Sequence, residues 1–68
     1  MKFDFDGIQA FVAVAELQGF GKAAGHLNIT QTALTRRVQK LEAYLAARLF
    51  DRTTRSVRLT AIGRDFLP

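Results

Sequence analysis

Apolar residues recur along this chain at helical spacing, and near its end the pattern switches to alternation. Phe5, Ile8, Phe11, Val12 and Ala15 fall three and four positions apart, which predicts a first helix with these residues facing a core. Asp4 or Asp6 is placed to cap its start, and Asp6 with Gln9 fits a capping box. Gln18-Gly19 ends that helix, and Phe20 is expected to plug the core between helices. A second helix is expected from Lys22 to Leu27 with Gly21 at its cap. Ala23 and Ala24 are small enough for close helix approach. Gly25 inside so short a helix costs about 1 kcal/mol relative to alanine, so this helix must lean on its neighbours.

Asn28-Ile29 reads as a turn, and Thr30 as the N-cap of a third helix over 31–46. Leu34, Val38, Leu41 and Leu45 step by four, three and four along one face. Gln31, Thr32, Thr35, Arg36 and Gln39 occupy the other, flanked by Arg37, Lys40 and Tyr44. One side of this helix buries and the other is left free to read something. The alternation in Val57, Arg58 and Leu59 predicts a half-buried strand, and 53–56 (Thr-Thr-Arg-Ser) a turn before it. Together they make a two-stranded wing with Arg55 near its tip. An isolated hairpin is marginal in water, so Leu49, Phe50, Val57 and Leu59 must dock on the helices. Thr60 then caps a final helix from Ala61 to Leu67. The fold class predicted is mainly α: a winged helix-turn-helix of three helices, a short wing and the start of a further helix.

Charge sharpens the picture. Residues 1–20 carry Lys2 against Asp4, Asp6 and Glu16, a net −2, whereas residues 21–68 carry nine Lys and Arg against Glu42, Asp51 and Asp65, a net +6. A basic segment after an acidic one points at a polyanion, because neutralised phosphates release condensed counterions. There is no cysteine, which removes disulfides and thiolate metal sites. His26, the single histidine, reads as an exposed surface residue with no cluster of ligands around it. No phosphate-binding glycine loop, nucleophile elbow or spaced carboxylate pair is present, so no enzyme, catalytic residue, metal or cofactor is expected. No run approaches the apolar length of a membrane span and no signal peptide opens the chain, so cytoplasmic residence is the expectation.

A helix-turn-helix can lay its second helix in the DNA major groove. Gln31 could then pair bidentately with adenine and Arg36 with guanine, while Thr32 and Thr35 offer hydroxyls and methyls. Thr30, Arg37, Lys40 and Arg52 suit the sugar-phosphate backbone, and Arg55 at a wing tip suits a narrow minor groove. The alternative is a protein-interaction module on the same fold, which would have no need of Arg36, Arg55 or the basic C-terminal two-thirds.

These residues resemble the N-terminal DNA-binding domain of LysR-type transcriptional regulators. The likeness rests on FVAVAE at 11–16, Phe20 with KAA at 22–24, Leu27, TQTALTRRVQKLE at 30–42 and RLFDRTTRSVRLTAIG at 48–63. It covers nearly the whole chain without gaps. The resemblance implies base contacts from Gln31, Thr32, Thr35 and Arg36 and a wing contact from Arg55. It also implies a DNA-binding domain over 1–60, then the truncated start of a dimerising linker helix over 61–68, with a larger effector-binding domain beyond. An intact protein of this kind would bind a pseudo-palindromic operator as a homodimer or homotetramer; the fragment alone would be monomeric or a weak dimer. The chain departs from the family pattern at Thr32 (usually proline), Thr35 (usually serine), Gly21 (commonly threonine) and Gly25 (commonly charged). It also has Ala46 where glycine is usual, and a left-handed turn there would strain alanine.

Overall fold

A computed structural model describes residues 5–52 and 57–67, excepting the Arg52 side chain. Asp4 as a cap, the wing turn 53–56 and Arg55 at its tip lie outside the described residues. The element order is α1 (Phe5–Leu17), α2 (Phe20–Leu27), α3 (Gln31–Leu45), β1 (Phe50–Arg52), β2 (Val57–Leu59) and α4 (Ala61–Phe66). The three longer helices pack on one another, and the hairpin docks against α1. β1 and β2 pair antiparallel with Phe50 opposite Leu59, Asp51 opposite Arg58 and Arg52 opposite Val57. Opposite charges at the central pair favour this register.

The first helix differs from its sequence reading in two ways. Asp6 lies inside the first turn of α1, which begins at Phe5, and so is not its cap. The buried residues are Gly7, Ala10, Phe11, Ala13 and Val14, whereas Ile8, Val12 and Ala15 are half-buried and Phe5 is 73% exposed. Of the expected stripe only Phe11 reaches the centre. Apolar residues surround α1 on nearly every side, so spacing alone supports several faces. The face chosen carries Gly7 and Ala10, whose small size lets helices approach closely.

The second helix starts two residues earlier than expected. Gly19, in extended conformation, is its N-cap, and Phe20 is its first residue. Phe20 meets Phe50 at a ring-centroid distance of 5.7 Å, Phe50 meets Phe11 at 5.3 Å, and Phe11 meets Phe66 at 5.7 Å. These tilted and edge-on contacts tie α2, β1, α1 and α4 into one aromatic chain, each pair worth about 0.5–1.5 kcal/mol beyond its burial. Leu34, Val38 and Leu41 are fully buried beside them, as are Leu49 and Phe50, and Leu45 closes the end of the row half-buried. Val57 and Leu59 pack on the core from β2.

Ala46 keeps the left-handed turn that ends α3, at φ 54, and its N–H donates to Ala43 O. Alanine in this region costs roughly 1–2 kcal/mol of steric strain, which glycine escapes at the expense of unfolded-state entropy. Ala46→Gly should therefore stabilise the domain by about 0.5–1 kcal/mol and raise Tm by roughly 3–6 °C. An unchanged or lower melting point by circular dichroism would contradict that strain.

Candidate nucleic-acid interface

The turn that aims α3 is built from two local signals. α2 ends on Asn28 in the left-handed region at φ 61, and the Ile29 N–H donates to Ala24 O at 3.0 Å. Asparagine tolerates this conformation better than most residues. Thr30 is extended, and its Oγ1 accepts from the Ala33 N–H at 3.0 Å, so α3 begins one residue later. The cap uses an oxygen lone pair of Thr30 and leaves its hydroxyl proton to be donated outward.

Burying Leu34, Val38 and Leu41 fixes the rotation of α3 and turns the opposite face to solvent. Gln31, Thr32, Thr35, Arg36 and Gln39 line one open depression of about 460 Å³ on that face. Gln31, Thr32, Arg36 and Gln39 are exposed, and Thr35 is half-buried at the floor. All four residues expected to read bases are thus brought together. Gln39 joins them; it had been placed on this face without a role, and its i, i+4 relation to Thr35 was the signal. Lys40 is exposed and Arg37 half-buried on the flanks of the helix. Arg52 contributes its main chain to β1. His26 is exposed, beside α1, and among the described residues no three candidate ligands gather to hold a metal.

A buried carboxylate, which sequence reasoning missed, fixes the wing relative to α3. Glu42 is 7% exposed, and its Oε2 accepts from the Leu49 N–H at 2.8 Å and the Phe50 N–H at 3.4 Å. Arg48 Nε lies 4.0 Å from the same oxygen, but its side chain is mostly in solvent, where such a pair contributes little. Glu42 follows Leu41 in the sequence, and no local pattern separates it from an exposed helix carboxylate.

The third tie is at Thr60. Its Oγ1 donates to Arg48 O at 2.6 Å and accepts from the Gly63 N–H at 3.0 Å, and its own N–H donates to Leu49 O at 3.0 Å. One residue thus caps α4 and fastens it to the segment that leads into β1.

The sequence model described as "Bacterial regulatory helix-turn-helix protein, lysR family" matches residues 5–64. The chain belongs to the LysR family. It is 52% identical over 68 residues to the transcriptional regulator YbhD of Escherichia coli K12, covering 100% of this chain and 22% of that protein. It is 53% identical over 60 residues to the regulator TfdT of Cupriavidus pinatubonensis, covering 88% of this chain and 26% of that one. It therefore spans about a quarter or less of the length of these LysR-family relatives. Among solved structures, the BenM DNA-binding domain in complex with its benA site 1 DNA superposes with a TM-score of 0.89 at 41% identity. That match covers 94% of this chain and 72% of the BenM chain.

Proposed function

We propose that this chain binds duplex DNA sequence-specifically, as the DNA-binding part of a LysR-type transcription regulator, with α3 in the major groove. The observation that carries the reading is the open polar depression of α3, backed by a sealed row of Leu34, Val38 and Leu41. The structure of the BenM DNA-binding domain in complex with benA site 1 DNA, 41% identical to this chain, supports it. In this reading Gln31, Thr32, Thr35 and Arg36 contact bases. Thr30, Arg37, Lys40 and Arg52 contact the backbone, and Arg55 contacts the backbone or the minor groove. Residues 1–60 form the DNA-binding unit and 61–68 begin a linker helix through which an intact protein dimerises or tetramerises on a pseudo-palindromic operator. In the same reading the protein works in the cytoplasm as a regulator and not as an enzyme, which is supported by relatives that are transcriptional regulators.

Fluorescence anisotropy on duplex DNA across a salt series tests this. With four cationic side chains at phosphates or in the minor groove, log affinity should fall linearly against log salt with a slope of about −3 to −4. That is about a 100-fold loss between 50 and 200 mM salt. Arg36→Ala should weaken binding to the preferred sequence by about 5–150-fold, equivalent to the 1–3 kcal/mol of a bidentate base contact, and affect random duplex far less. A flat salt response would turn the assignment toward a protein-docking module.

A further inference from the structure

Gly21 lies exposed in the first turn of α2, and no described glycine has a positive φ. Its backbone therefore does not require glycine. What the missing side chain leaves is room. Apart from its chain neighbours and the backbone of α2, a Cβ built at Gly21 would meet one atom of the described residues within 4 Å, Gln31 Oε1, at 3.5 Å. Gln31 opens α3 and lines the polar depression, and among the described residues no hydrogen bond holds its amide. Among the described residues beyond α2's own backbone and the chain neighbours, the atom that a Cβ at position 21 would meet is therefore the amide oxygen of Gln31.

We propose that Gly21 determines specificity by position: carrying no side chain, it leaves Gln31 free to present its amide oxygen and nitrogen together. This rests on the reading of Gln31 as a base contact. Bidentate pairing with adenine needs both atoms, the oxygen accepting from N6–H and the nitrogen donating to N7. A hydroxyl at position 21 would donate to Oε1 and leave only the NH₂ pointing outward. A donor alone pairs with adenine N7, guanine N7 or O6 and thymine O4, so preference for adenine falls. A bare methyl crowds the oxygen without capturing it, and its effect is the smaller.

The test begins with a duplex selected by the unmutated chain from random sequence. The base pair that Gln31 reads is the one at which Gln31→Ala erases preference. Binding of the four variants at that pair is then measured for Gly21→Ser, alone and combined with Gln31→Ala. The expected result is that a preference of about 5–100-fold collapses to threefold or less at that pair only. Preference elsewhere and the salt slope should stay unchanged, and Gly21→Ser should have no effect when Gln31→Ala is present. A Gly21→Ser effect equal on all four duplexes, equal in both backgrounds, or absent overturns the proposal while leaving DNA binding intact. An unmutated chain that binds no duplex, or binds without preference at any pair, overturns the base-reading assignment and this proposal with it. If thermal unfolding shows that Gly21→Ser folds poorly, Gly21→Ala should give a smaller loss at the same base pair, and its absence counts equally against the proposal.

Discussion

Gly63→Ala is expected to destabilise the domain by about 2–3 kcal/mol, which for a chain of this size lowers Tm by roughly 10–20 °C. Gly63 is buried in α4, and a Cβ there would collide with the Leu49 carbonyl oxygen and lie 3.0 Å from Leu59 Cδ2. The carbonyl cannot step aside, because it already accepts the Thr60 N–H and directly precedes β1. Relief must come from moving α4 away from the wing, which also pulls Phe66 off Phe11. Against this, alanine gains about 1 kcal/mol of intrinsic helix propensity, too little to offset the clash. Gly25→Ala supplies the internal control: nothing lies within 4 Å of its Cβ position and it sits inside α2. There the same chemical change should stabilise by about 0.5–1 kcal/mol. Equal melting shifts for the two variants would show that α4 does not press on the Leu49 backbone. A domain of this size has a total stability of about 3–10 kcal/mol, so Gly63→Ala removes a large part of it.

Glu42→Ala is expected to be comparably damaging, with a loss of about 2–3 kcal/mol. Removing the carboxylate leaves the Leu49 and Phe50 N–H groups facing a cavity in which the side chain was the acceptor. An orphaned buried donor costs its full desolvation, whereas a hydrogen bond to a charged group is worth about 1.5–3 kcal/mol when made. Glu42→Gln retains an acceptor without the charge and should lose roughly half as much. Hydrogen exchange separates this mechanism from general destabilisation. The Leu49 and Phe50 amides should lose protection more than Leu34, Val38 and Leu41 do. Uniform loss across α3 would instead mean that Glu42 stabilises the helix and not the junction. Because the junction sets where the wing stands relative to α3, Glu42→Ala should also weaken DNA binding at temperatures where the domain remains folded.

Much of this molecule is legible from residue order because the signals are local. Thr30 and Thr60 announce helix starts through their hydroxyls, and both caps form as read. Asn28 marks a left-handed stop, and the Val57-Arg58-Leu59 alternation marks a strand. The polar flank of α3 is legible for a related reason: a leucine row with a clear period leaves one direction only for Gln31, Thr32, Thr35 and Arg36. The faces of α1 were not legible in this way. With Phe5, Ile8, Phe11, Val12, Val14 and Leu17 spread around the helix, the apolar period is ambiguous, and the buried side is displaced by about a third of a turn from the expected one.

The sequence alone thus determined the elements, the threonine caps of α3 and α4 and the direction of the polar face of α3, since each depends on residues within about one or two helical turns. Packing between distant segments decided the rest. It selected the Gly7–Ala10 side of α1 for burial, made Glu42 an interior acceptor for Leu49 and Phe50, seven and eight residues on, and left Gly63 no room for a methyl group. These are properties of surfaces in contact, and a charge or a glycine has no local signature of the neighbour it will meet.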